Sequence, residues 1–270
     1  MSVESKIEEI VAAIRECDSV LVAFSGGVDS STVAALAHRA LGDDAVACTA
    51  VSETLPESEY EEAVEVADEI GIRHEVVSFS ELDSSEFVEN DSDRCYHCRT
   101  MRLGQMYSKA QELGVSTVAD GTNASDRDPE AHRPGLDAVE EMEAYSPLLE
   151  HGVGKDEVRE IARELGLSVW DKPSMACLSS RIPHGTEVTE SRLMRVEQAE
   201  AVIREYGVRQ LRVRDHDGMA RVEVAPDEME KVLNQEVMHE IDRRLREVGF
   251  DYVTLDMQGY RTGSLAPDAD

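Results

Sequence analysis

Residues 25–31 read Ser-Gly-Gly-Val-Asp-Ser-Ser, and their types and spacing suit one task, the handling of a phosphate chain. An apolar run, Val20 to Phe24, precedes them and reads as a buried parallel strand. Val33, Leu36, Ala37 and Ala40 follow at helical spacing, with Ser30 or Asp29 at the expected N-cap. Gly26 and Gly27 let backbone approach an anion closely, while successive N–H groups and a helix start supply positive potential. Ser25, Ser30 and Ser31 add hydroxyl donors. Asp29 would repel phosphate unless Mg²⁺ lay between them, so the string predicts metal–pyrophosphate binding. The Gly-Lys-Ser/Thr ending of a Walker loop is missing, and so is the Rossmann glycine pattern.

Cysteine supplies the second chemistry. Cys95-Tyr96-His97-Cys98 is a C-x-x-C, and Cys177 stands alone before Leu178-Ser179-Ser180-Arg181. Such a set is compatible with a redox pair, with zinc completed by His97, or with a cubane iron–sulfur cluster having one open iron. Spacing does not choose among them. Cys17 and Cys48 read as buried small hydrophobes.

These groups need a scaffold. Helices are expected over 4–16, 30–41, 57–70, 97–113 and 155–165, alternating with strands over 19–24, 45–51, 73–79 and 116–119. This alternation predicts an α/β fold built on a doubly wound, mostly parallel sheet. The loop 121–135 follows the fourth strand and should lie at its carboxyl end, where such sheets bind ligands. After about residue 187 the pattern changes to helix 189–206, strands 210–214 and 220–224 about an Asp217-Gly218 turn, a helix near 226–248 and strand 251–256. The expected division is therefore a domain over 1–186 and a smaller α+β domain over 187–270.

The chain has 270 residues and a net charge of −30, from 57 acidic and 27 basic side chains; only five of the latter are lysines. The acids are spread along the whole length, a distribution that suits solvation in a very salty cytoplasm and argues against nucleic-acid binding. No long apolar run is present, and the opening MSVESKIEEI is acidic and amphipathic, so neither a membrane span nor a signal peptide is expected.

Residues 25–31 resemble the pyrophosphate loop of the PP-loop ATP pyrophosphatases. Arg94-Cys95-Tyr96-His97-Cys98, Gly121-Thr122-Asn123 with Asp126, Arg133-Pro134-Gly135, Ser179 to Thr186, Val213 to His216, Tyr252 to Asp256 and Gly259 to Gly263 follow in order. Together they resemble the LarE family of ATP-dependent sulfur transferases nearly end to end.

The resemblance implies cleavage of ATP between its α and β phosphates. A carboxylate of a pyridinium-3,5-biscarboxylic acid mononucleotide is adenylylated and converted to a thiocarboxylate, a step toward the nickel-pincer nucleotide of lactate racemase. It implies ATP contacts from Ser25, Gly26, Gly27, Val28, Asp29, Ser30, Ser31, Gly121, Asn123 and Asp126, with Mg²⁺ at Asp29. It places Arg212 and Arg214 at the substrate phosphate, offers Arg181 for an anionic group, and sets Glu200 and Glu223 near substrate or divalent metal. Sulfur comes either from one sacrificial cysteine, Cys177, or from sulfide on a [4Fe-4S] cluster held by Cys95, Cys98 and Cys177; three cysteines favour the cluster. The smaller domain would bind substrate or mediate oligomerisation, with a cytoplasmic hexamer implied. The rivals are a tRNA-thiolating PP-loop enzyme, an NAD synthetase- or GMP synthetase-like amidating ligase, and an ATP sensor without turnover.

Overall fold

The computed structural model describes residues 2–127, 134–173 and 176–261. Arg133, Thr262 and Gly263, cited in the motifs above, lie outside them. The chain forms two compact units, each assembled from two stretches: residues 1–80 with 95–175, and 81–94 with 176–270.

The first unit is built on a parallel sheet of four strands, β1 (Val20–Ala23), β2 (Ala45–Val51), β3 (Arg73–Ser78) and β4 (Thr117–Ala119), in the order β3-β2-β1-β4. Its helices are α1 (Val3–Ile14), α2 (Val28–Leu41), α3 (Glu57–Ile70), most of α5 (Arg94–Leu113), α6 (Pro134–Glu141), α7 (Pro147–Glu150) and α8 (Lys155–Glu164); α4 (Ser85–Val88) belongs to the second unit. Strand side chains alternate between faces, so one buried apolar run feeds two cores. Val20, Val22, Ala45 and Ala47 pack with Ile7, Ile10 and Val11 of α1, Leu36 of α2, Val66 of α3 and Ile161 of α8. Leu21, Cys48, Ala50 and Val118 pack on the other face with Leu103, Met106 and Ala110 of α5. Each fully buried aliphatic side chain of this size contributes about 1.5–3 kcal/mol. The sheet is thus covered on both faces by helices, as the alternation predicts.

The second unit carries α9 (Glu190–Arg204), the strands β5 (Leu211–His216) and β6 (Met219–Val224), α10 (Gln235–Glu247) and β7 (Tyr252–Leu255). β5 and β6 form an antiparallel hairpin with His216 opposite Met219, and β7 joins β6 in parallel. Asp217 and Gly218 both have positive φ, 52° and 91°, as a two-residue turn with right-handed strand twist demands. Leu211, Val213, Ala220, Val222 and Val224 face Ala199, Ile203, Ile241 and Leu245. The long helix expected over 226–248 is instead a short 3₁₀ turn at Met229–Lys231 followed by α10. The Asn234 side chain accepts the N–H groups of Glu236 and Val237 and starts α10 there.

Residues 81–94 join this unit through Asn90, which is completely buried and has φ 60°. Its amide donates to the carbonyls of Ile182 (3.4 Å), Pro183 (2.8 Å) and Thr186 (2.7 Å). Arg94 Nη1 donates to the Ser179 carbonyl (3.0 Å) and to Asn90 Oδ1. The Ser179–Thr186 string is therefore shaped by a distant asparagine and arginine.

Candidate functional site

In the first sheet the strand order reverses between β1 and β4, because β1 continues outward to β2 while β4 lies on its other side. A crevice is expected at the carboxyl ends of these two strands. The 25–31 loop leaves β1 there, and the Gly121-Thr122-Asn123 loop leaves β4.

Helix α2 begins two residues earlier than the spacing predicts. Its N-cap is Gly27 rather than Asp29 or Ser30, with φ −79° and ψ 161°. Gly26 makes the turn at φ 69°, and a Cβ there would stand 2.8 Å from Ala63 Cα of α3. With two glycines turning the chain, Ser30 folds back instead of capping. Its hydroxyl bonds the Gly27 carbonyl (3.1 Å) and lies 3.1 Å from Ser25 Oγ, and it accepts the Ser25 N–H (3.2 Å). The first N–H groups of α2 have no intrahelical acceptor and point toward the crevice end of the helix. Val28 and Ser31 are buried, and Ser31 Oγ has no hydrogen-bond partner among the described residues.

Gly121 is held against this helix start: a Cβ on it would lie 2.9 Å from Ser30 N and 3.2 Å from Asp29 Cβ. Asn123 Nδ2 donates to Asp29 Oδ1 (3.1 Å), and Lys155 Nζ meets Asp29 Oδ2 at 2.5 Å. Asp126 accepts the Asn123 N–H (3.1 Å), and Asn123 Oδ1 accepts Ser125 N–H (2.9 Å), which fixes the loop. Asp120, buried beneath, takes Thr122 N–H, the hydroxyls of Thr122 and Ser146, and Arg99 of α5 (2.8 Å). The sequence-predicted loop residues are thus brought together, and Lys155 joins them. Sequence reading missed Lys155, although one of only five lysines at a helix start after Gly154 was a usable signal.

Cys95 and Cys98 lie one turn apart at the start of α5, Cys95 exposed and Cys98 half-buried. Thiolates at this spacing suit zinc or iron in kind. Among the described residues, however, no three His, Cys, Asp or Glu side chains stand together as a metal site. His97 packs edge-on against Tyr96, whose phenol donates to Glu141 (2.6 Å) and is pushed up in pKa by that carboxylate. No disulfide forms. Cys17 is half-buried against the first core, and burial pushes the Cys48 thiol up to about 12.

The second unit holds Cys177 with the predicted arginines. Cys177 caps a short turn over Leu178–Arg181, its Sγ 3.1 Å from Ser179 Oγ. Alternation puts Arg212, Arg214 and His216 on the face of β5 opposite the core. Arg214 Nη1 reaches the Ser180 carbonyl (2.8 Å), and its guanidinium pairs with Glu223 (2.9 Å), which also takes Arg221 (2.7 Å). The Arg212 guanidinium lies 5.1 Å from the ring centre of Tyr260, a residue to which the sequence assigned no role. Arg181 is completely buried and pairs with Glu200 through two hydrogen bonds (2.8 and 3.0 Å). Three buried guanidinium groups (Arg181, Arg212, Arg214) therefore share this region with three buried carboxylates (Glu200, Asp215, Glu223). Burial, followed by the charge of Arg181, lowers the pKa of Arg212. Burial pushes Glu200 up, but Arg181 and then Arg204 outweigh it and hold the carboxyl below its usual range. Burial and then Arg221 lower the pKa of His216.

The NAD synthase family model matches residues 2–110, which span the phosphate loop. An uncharacterized protein of Synechocystis is 42% identical over 97% of both chains. The pyridinium-3,5-bisthiocarboxylic acid mononucleotide synthase of Lactiplantibacillus plantarum is 35% identical over 97% of this chain and 94% of its own. An uncharacterized protein of Methanocaldococcus jannaschii is 27% identical over 90% of this chain and 91% of its own. At 35% identity over nearly the whole of both chains, the chain belongs to the LarE family, of which the Lactiplantibacillus synthase is a member.

Proposed function

We propose that this protein is an ATP-dependent sulfur transferase converting a carboxylate of pyridinium-3,5-biscarboxylic acid mononucleotide to a thiocarboxylate. The observation that carries the reading is the set of buried guanidinium groups, Arg181, Arg212 and Arg214, in the unit that holds Cys177, in a protein that is otherwise strongly acidic. Planar guanidinium groups suit phosphate. Similarity to the Lactiplantibacillus synthase supplies the substrate class.

A carboxylate is a poor acyl donor. One of its oxygens attacks the α-phosphorus of ATP, the α–β bridging bond breaks, and pyrophosphate leaves. The α2 N-terminus and the Ser25 and Ser30 hydroxyls receive the leaving charge, and Asp29, whose oxygens here meet Asn123 and Lys155, is the carboxylate that would hold Mg²⁺, which would help neutralise that charge. The Cys177 sulfur then adds to the acyl carbon and AMP leaves. Loss of the Cys177 Cα proton with cleavage of its Cβ–S bond frees the thiocarboxylate and leaves dehydroalanine. An iron–sulfur cluster, if Cys95, Cys98 and Cys177 held one, would supply sulfide in place of the thiol.

Pyrophosphate release should depend on the biscarboxylic nucleotide and fall at least about 10²-fold in Asp29→Ala, with far-UV circular dichroism unchanged. Undiminished release would refute the ATP assignment. Iron and acid-labile sulfide on anaerobically purified protein decide the sulfur source. No iron and a loss of roughly 34 Da at Cys177 after turnover mark the thiol, whereas about four irons per chain mark the cluster.

A further inference from the structure

Arg181 is the largest completely buried side chain among the described residues, and its contacts are unusual for a substrate ligand. While Nε and Nη2 hold Glu200, Nη1 donates to three acceptors: the carbonyls of Ala176 (2.5 Å) and Cys177 (2.9 Å) and Ser180 Oγ (3.1 Å). Glu200 extends the link. Its Oε1 also accepts the Val213 N–H (3.1 Å), between Arg212 and Arg214, and its Oε2 accepts Arg204 (3.0 Å). One ion pair thus fixes both the backbone that bears the Cys177 thiol and the strand that carries the cationic face.

We infer that Arg181 and Glu200 are positioning residues, which set the Cys177 main chain against β5 and do not touch the substrate. The inference rests on the reading of Cys177 as the sulfur-delivering residue. Only a planar fork can bind a carboxylate with two parallel bonds while its third nitrogen spans successive carbonyls. A lysine has one nitrogen and must abandon one side or the other. Without the pin, Cys177 keeps its chemistry but loses its aim, and an error of about 1 Å at a reacting atom costs about 10²-fold in rate.

Two variants test this. Arg181→Lys keeps the charge. The double variant Arg181→Met with Glu200→Met removes both charges together, which avoids an orphaned buried ion. Three quantities are read: the Kd of nicotinic acid mononucleotide, a pyridinium nucleotide probe; the rate of iodoacetamide alkylation at Cys177, followed by peptide mass spectrometry; and kcat, taken as the single-turnover rate constant of thiocarboxylate formation because Cys177 is consumed. Cys48, with its thiol pushed up to about 12, stays silent in the alkylation.

The expected result in both variants is a Kd within about twofold of wild type, Cys177 alkylation about tenfold faster, and kcat about 10²-fold lower. A Kd weakened tenfold or more with alkylation unchanged would make Arg181 a substrate contact and overturn the inference. If the double variant does not fold, Arg181→Lys decides by the same readouts; wild-type alkylation and kcat in it overturn the inference as well. Alkylation needs no substrate. A wild-type protein that makes no thiocarboxylate would therefore sink the proposed function while the comparison of thiol reactivity still tests the pin.

Discussion

Gly26 shows how much one position can be asked to do. It must adopt φ 69°, and it must let α3 approach until a Cβ would overlap Ala63. Gly26→Ala should therefore destabilise the protein by at least about 1–3 kcal/mol and abolish ATP protection against thermal unfolding. An alanine variant with wild-type melting temperature and ATP response would contradict this account of the loop. The loop residues were legible in the sequence because their relationship is local, seven positions in one string. Lys155 was not, because it reaches Asp29 from 126 residues downstream. Arg181 illustrates the same limit. The sequence shows an arginine near a cysteine, but whether it faces solvent, substrate or the interior depends on Glu200 in a helix that folds later in the chain.

β5 turns simple alternation into a division of labour, with Leu211 and Val213 toward the core and Arg212 and Arg214 away from it. Arg214→Ala removes a cation but leaves Glu223 paired with Arg221 at 2.7 Å, so the cost should stay near 1–3 kcal/mol. Binding of nicotinic acid mononucleotide should weaken about tenfold or more while ATP binding is unchanged; equal losses for both would argue against a phosphate role for this strand. The strands and long helices were readable from period and apolar runs, and the limits of β2 and α3 match the expected ones. What period cannot show is a helix start set by main-chain geometry. A two-glycine turn moved the start of α2 to Val28, and an asparagine cap split the expected 226–248 helix. The pairing of residues 81–94 with 176–188 was equally hidden, because a buried Asn90 bonding three carbonyls leaves no periodic trace.

A net charge of −30 makes self-repulsion a property of the whole chain. Screening shortens from about 10 Å at 0.1 M salt to about 3 Å at 1 M. The melting temperature should therefore rise by about 10 °C, roughly 3–5 kcal/mol, between 0.1 and 2 M KCl. A flat or falling profile would remove the high-salt reading of the composition. Acid should act in the opposite sense. Burial lowers the pKa of His74 and of His216 from an ordinary 6.5, so the unfolded chain binds their protons first. Their contribution is complete above about pH 6.5 and is lost as pH falls through the depressed folded values. Glu200, also depressed, adds a second loss below its ordinary 4.5. Thermal unfolding at pH 8, 6.5, 5.5 and 4 should show stability level down to about pH 6.5 and falling below it, and His74→Gln should flatten the step nearest neutrality.

The interleaved order of the two units also bears on how the protein is made. Residues 81–94 leave the ribosome early, yet the carbonyls that satisfy Asn90 belong to residues 182–186. At about 5–20 residues per second, this segment waits on the order of ten seconds for its partners. Meanwhile all four strands of the parallel sheet are made by residue 119. A nascent chain arrested before residue 176 should present the 81–94 segment to proteases and chaperones, and release of the last hundred residues should conceal it.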